Sequence, residues 1–210
     1  YGNELGEMGV VKVIADFNAY VSTLIEERRA NPTDDLASVL ATASIDGAPI
    51  DAFKQLSYFI LVTTAGHDTT SASIAEGMNL LIDDAAAMAR LRSDPGLCAN
   101  AADEFVRLAA PVKHFLRTPT QDVVVAGQTI RAGETIMLAF SSAARDERAF
   151  DAPDRVSLER RGNQHLAFGA GPHVCLGKHL ALSAFRVEDD RLAVLFVVLH
   201  LPIFPLKAVS

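Results

Sequence analysis

The sequence is poor in cysteine: it has two in 210 residues, Cys98 and Cys175, far apart and in no close pair. That excludes a disulfide framework and suits a reducing compartment. Positive charge is also in deficit, with 19 lysines and arginines against 26 acidic residues and a formal net charge of −7. This balance argues against nucleic acid as a partner. Long apolar runs are missing, because the longest, Leu192 to Leu201, falls short of the ~20 residues a membrane helix needs. No charged-then-apolar leader opens the chain, which begins at Tyr1, and no repeat or low-complexity tract follows. A Gly-x-Gly-x-x-Gly fingerprint is absent as well, which argues against a flavin- or nicotinamide-binding segment in this chain. The expectation is a cytoplasmic chain with no membrane and no nucleic-acid partner, and a piece of something longer.

What is present is a core: half of the residues are apolar, enough for one domain or part of a larger one. From Val10 to Arg29 the apolar residues Val13, Phe17, Tyr20, Val21, Leu24 and Ile25 recur at a helical period. Thr33-Asp34-Asp35 caps a second, short helix to about Ala43, and Asp46-Gly47-Ala48-Pro49 reads as a turn. Asp51 to Ile82 predicts a helix too long and too apolar for a surface position. Its middle, Thr63-Thr64-Ala65-Gly66-His67-Asp68-Thr69-Thr70, is poor in helix formers. A mid-helix glycine costs ~1 kcal/mol and threonine hydroxyls compete for i−4 carbonyls, so a widening or kink is expected there. Two further helices run over Asp84–Arg92 and Leu97–Ala109, the second carrying Glu104 and Arg107 on one face. After Pro111 the texture changes to short strands over 113–118, 122–125, 128–130 and 135–140, then to an irregular polar stretch from Arg155 to Gln164. The fold class is mainly α with a small β region.

The chemistry concentrates at Phe168-Gly169-Ala170-Gly171-Pro172-His173-Val174-Cys175-Leu176-Gly177. A lone cysteine on a glycine-punctuated loop, with a helix expected from about Leu176, is how a protein holds a metal by sulfur. Two plainer readings stand beside this one: Cys175 as a small buried hydrophobe, or His165, His173, Cys175 and His179 as zinc ligands.

The spacing Phe168, Gly171, His173, Cys175, Gly177 resembles the haem-ligand loop of the cytochrome P450 family of haem-thiolate monooxygenases. The resemblance implies Cys175 as axial ligand of haem b, Phe168 beside the sulfur, His173 near a propionate, and Gly169, Gly171 and Gly177 where haem and backbone meet. Ala65, Gly66, Asp68 and Thr69 match the family's Ala-Gly-x-Asp/Glu-Thr, which implies an opened turn for dioxygen at Ala65-Gly66 and an oxygen-activating pair in Asp68 and Thr69. Glu104 and Arg107 resemble its Glu-x-x-Arg, whose structural partner would be Arg160, with Arg161 the lesser claimant. Arg117 falls where the family places a propionate-binding arginine. Ala144-Arg145-Asp146 is similar to the family's Asn-Arg-Asp with the asparagine replaced.

By this resemblance residues 1–210 form a single partial domain, the C-terminal half of the P450 fold: long central helix, Glu-x-x-Arg helix, small sheet and cysteine-ligand loop. After the loop, Leu180-Ala181-Leu182-Ser183-Ala184 lacks the family's charges, and the final strands are expected to be missing or altered. The implied function is insertion of one oxygen atom from O2 into a small lipophilic substrate. Electrons would come from a ferredoxin or flavodoxin with its NAD(P)H reductase; Lys178 and His179, just past the ligand, read either as part of its docking face or, more simply, as a solvated face. The Pro111–Thr118 stretch is similar to members acting on terpenes or sterols. A peroxide-driven relative is the rival inside the family, and Asp68 and Thr69 speak against it. A truncated remnant serving as a helical interaction module is the rival outside it.

Overall fold

The computed structural model describes residues 7–160 and 162–185. Contacts divide the chain into two compact units, with the boundary between His67 and Asp68.

In the N-terminal unit, α1 (Glu7–Ala30) ends on Arg28 and Arg29, cations where the helix dipole favours them. Its stripe of Val21 and Ile25 packs with Ala41 of α2 (Leu36–Thr42), and Phe17, Leu56 and Phe59 close this small core. Asp35 caps α2 by accepting the Ser38 N–H at 2.6 Å. The Arg28 guanidinium, 2.7 Å away, and the Ser38 amide hold the Asp35 carboxyl well below the usual carboxylate range. Arg29 donates to the Ala41 carbonyl and to buried Gln55, whose amide in turn donates to Leu40 O and Ala41 O. β1 (Ser44–Ile45) and β2 (Ala48–Pro49) pair antiparallel around Asp46 (φ 52°) and Gly47 (φ 79°), the two positive φ angles of a type I′ hairpin.

The long helix α3 (Ala52–Asp83) crosses the boundary. Many of its apolar side chains face solvent, among them Phe53 at 78% and Leu61 at 58% exposure. The expected widening at Ala65-Gly66 does not appear: the α-helix is unbroken from Ala52 to Asp83. Thr63 and Thr64 do back-bond to the carbonyls of Phe59 (2.8 Å) and Ile60 (2.7 Å). A carbonyl oxygen has two lone pairs, so the hydroxyl is accommodated beside the helical bond and the ladder persists. None of the described helices is long and apolar enough to cross a membrane.

In the C-terminal unit Asp84 caps α4 (Ala85–Ser93) through the amides of Ala86 and Ala87. A 3-10 turn at Pro95–Leu97, capped by Asp94, leads into α5 (Cys98–Ala109). That helix is the centre of the unit, and Cys98, Ala101, Ala102 and everything from Glu104 to Ala109 are buried. Burial raises the Cys98 thiol pKa, and Asp94 adds to the effect. Phe105 packs so closely on α3 that a Cβ on Gly77 would lie 2.8 Å from its ring. Leu81, Leu91, Ala144, Leu158, Ala167, Leu182 and Phe185 complete the core.

The small β region is separate two-stranded ladders. β3 (His114–Arg117) pairs antiparallel with β6 (Ile136–Ala139), Arg117 opposite Ile136, and β4 (Val123–Val125) pairs with β5 (Gln128–Ile130) around Ala126-Gly127. After α6 (Phe140–Ala143) the described chain forms only turns and bends until a 3-10 turn at Gly171–His173. α7 (Lys178–Ser183) begins two residues later than expected. Gly177 sits in the bridge region at φ −84°, ψ 8°, and the Lys178 amide bonds Cys175 O at 3.3 Å as a turn. The first helical bond therefore runs from Ala181 N to Gly177 O. Arg161, the apolar run Leu192–Leu201 and the expected alteration of the final strands lie outside the described residues.

Candidate functional site

The cysteine loop is built on hydrogen bonds of its own backbone. The Gly169 amide donates to Leu166 O at 2.8 Å, Val174 to Gly171 O at 3.1 Å, and Cys175 to Phe168 O at 2.8 Å. Gly169 (φ 70°) and Gly171 (φ 66°) occupy the left-handed region, where a side chain is strained. At Gly169 a Cβ would also meet the His173 carbonyl at 3.3 Å. Phe168 is half-buried against the core, with the His165 ring 5.6 Å from its own and the Lys178 ammonium 5.4 Å from its centroid.

Cys175, by contrast, is exposed, which removes the reading of it as a buried hydrophobe. Around it Val174, Leu176 and Leu180 show 50%, 95% and 75% of their surface to solvent. A free thiol, a close backbone and an exposed apolar rim suit a flat, largely apolar group bound through sulfur, and haem is such a group. Among the described residues no cluster of three or more His, Cys, Asp or Glu could hold a metal ion. His165 in particular has both ring nitrogens occupied, Nδ1 accepting the Ala167 N–H at 3.2 Å and Nε2 facing Asp103 at 3.3 Å. The zinc reading therefore has no support.

Glu104, Arg107 and Arg160 are brought together under the loop's approach. Arg107 grips Glu104 with a two-pronged pair at 2.8 Å, both side chains fully buried. Its remaining Nη1 hydrogens go to Ala144 O and Pro153 O. Arg160 Nε lies 3.1 Å from both Glu104 oxygens, the Ser157 amide donates at 3.1 Å and Asn163 Nδ2 at 3.2 Å. Both guanidinium groups also lie over the Phe150 ring, at 5.0 and 5.7 Å. Burial pushes the Glu104 carboxyl up, but its partners outweigh that and hold it below the ordinary value. Ser157, Asn163 and Asp103 are parts of this frame that the sequence did not reveal, since their partners lie 53 to 62 residues away.

Arg117 is exposed on β3, its Nη1 donating to Leu116 O at 2.8 Å and its guanidinium 6.0 Å from the Phe115 ring centroid. His173 and Gly177 are exposed on the loop. Ala65 and Gly66 are exposed on the part of α3 that belongs to the N-terminal unit. Asp68 is exposed and Thr69 half-buried just past the boundary, and Thr69 O accepts the Ser73 hydroxyl at 2.8 Å.

The described residues thus form a helical frame locked by a buried Glu-Arg-Arg cluster, with an exposed cysteine on a glycine loop. The cytochrome P450 family model matches residues 97–187. Cytochrome P450-terp of a Pseudomonas species is 44% identical over 86% of this chain and 42% of its own length. Linalool 8-monooxygenase of Pseudomonas putida is 38% identical over 88% of this chain and 45% of its own. The crystal structure of CYP108D1 from Novosphingobium aromaticivorans superposes with a TM-score of 0.84 at 39% identity, over 94% of this chain and 47% of that one. The chain belongs to the cytochrome P450 family, of the bacterial type, and spans about half the length of the curated relatives it matches.

Proposed function

We propose that residues 1–210 are one partial domain, the C-terminal half of a cytoplasmic P450 monooxygenase, and that Cys175 binds the iron of haem b. The observation that carries this reading is the Cys175 thiol, exposed on its glycine loop within an apolar rim. Haem bound there supplies an iron centre whose thiolate ligand favours O–O cleavage. The chain's own residues do the rest. Phe168 and the loop glycines hold the sulfur and let the ring approach, while Arg117 offers a cation and His173 a ring N–H to its carboxylates. The Glu104–Arg107–Arg160 cluster keeps the loop's approach rigid.

Asp68 and Thr69 deliver protons to the reacting oxygen. Neighbours on a regular helix point about 100° apart, and with the turn at Ala65-Gly66 unopened they do not face one ligand together, so the labour is divided between exposed Asp68 and half-buried Thr69. The Asp68 carboxylate takes protons from water, and Thr69 Oγ1 hands them on. The substrate is small and lipophilic, in keeping with relatives named for linalool and for steroid C26 oxidation. Electrons come from a ferredoxin or flavodoxin with its NAD(P)H reductase. In the full-length protein, Thr69→Ala should keep consuming reductant and O2 but release peroxide in place of product. Product formation coupled as tightly as in the parent would remove the proton-delivery role.

A further inference from the structure

The loop's own bonds leave open what fixes it to the rest of the unit, and the His165 ring does this in two directions. Its side chain is 1% exposed, deeper than that of Asp103 at 24%. Because Nδ1 accepts the Ala167 N–H, the proton sits on Nε2, which donates to Asp103 Oδ1 on α5. The ring is thus a strut between α5, the helix of Glu104 and Arg107, and the backbone that enters the loop. The next links are short. Ala167 is followed by Phe168, whose ring lies against the same imidazole and whose carbonyl receives the Cys175 amide at 2.8 Å.

We propose that His165, with Asp103 behind it, is the positioning residue of the Cys175 loop: it sets the peptide of Ala167 and Phe168, and through the Phe168 carbonyl it sets the sulfur. The inference rests on the reading of Cys175 as the haem ligand. Removing the ring nitrogens orphans the buried Ala167 N–H, so the Phe168 carbonyl loses its fixed aim. Weaker thiolate ligation follows, besides any loss of stability.

The test uses three substitutions in the haem-loaded full-length protein: His165→Phe, which keeps ring packing but neither hydrogen bond; His165→Asn, whose Oδ1 replaces Nδ1 as acceptor; and Asp103→Ala. Two quantities are read: the fraction of the reduced carbon monoxide complex with the thiolate-type Soret band, and hydrogen exchange at the Ala167 and Cys175 amides. His165→Phe should lose most of the thiolate fraction and exchange both amides about tenfold faster. Asp103→Ala should do the same to a lesser degree, and His165→Asn should recover most of the loss. Should His165→Phe fail to fold, Asp103→Ala, at a partly exposed carboxylate, decides alone. If the substitutions lower only the melting temperature, leaving thiolate fraction and amide exchange at parent values, the positioning role is overturned. If the parent itself lacks the thiolate band, the haem reading fails, and amide exchange still decides whether His165 holds the loop.

Discussion

The Glu104 cluster and the Cys175 loop lie in the same unit and are built on opposite terms. Glu104 and Arg107 are fully buried, and the Glu104 carboxylate is shared among two guanidinium groups, a backbone amide and an asparagine. Cys175 is exposed, and its loop is held by bonds of its own backbone. The first arrangement spends polar groups on rigidity and leaves little chemistry available. The second leaves a sulfur accessible on a loop whose bonds are short-range. Stability and reactivity should therefore respond to mutation in opposite order.

The largest loss of stability should come from Glu104→Gln, which strands two cations next to a neutral amide. Breaking a buried pair of this kind costs about 3–5 kcal/mol, readable as a fall in the denaturant midpoint. Next is Gly77→Ala, where the new methyl meets the Phe105 ring at 2.8 Å and the ring is fully buried. Overpacking of about 1–3 kcal/mol exceeds the ~1 kcal/mol that alanine gains in a helix, so thermal unfolding should occur at lower temperature.

Acid should weaken the same cluster. The folded-state value of Glu104 is lowered, so its contribution is complete above the ordinary glutamate value of 4.5 and is lost as pH falls through the lowered folded value. Denaturant midpoints measured below pH 4.5 should fall more steeply for the parent than for Glu104→Gln. Smallest of all is Cys175→Ala, an exposed site whose backbone makes the loop's bonds, with a stability change within about 0.5 kcal/mol. A large loss there would mean that the loop is part of the frame.

Much of this fold was legible from local signals. Thr33-Asp34-Asp35 marked a helix start and Asp46-Gly47 a tight turn, and of the helical period from Val13 to Ile25, Val21 and Ile25 lie in the core while Val13 and Tyr20 are exposed. Composition misled at Ala65-Gly66, where poor helix formers were read as an opened turn. A helix of 32 residues absorbs Gly66 and the threonines around it, because the bonds of the flanking turns hold the ladder on either side. The start of α7 was placed early for a related reason, since Gly177 supplies a bridge-region angle and not a helical one. Least legible were Ser157, Asn163 and the His165–Asp103 pair. Nothing local distinguishes an asparagine that bonds a carboxylate 59 residues away from one that faces water.

The most direct test of the account is the absorption spectrum of the haem-loaded protein, reduced under carbon monoxide, for the parent and for Cys175→Ala. The account predicts a thiolate-type Soret band in the parent and its complete loss in a Cys175→Ala protein that unfolds at the parent's denaturant midpoint. A Cys175→Ala protein that keeps the thiolate band, or a parent that never shows it, would contradict the assignment of Cys175 as the haem ligand.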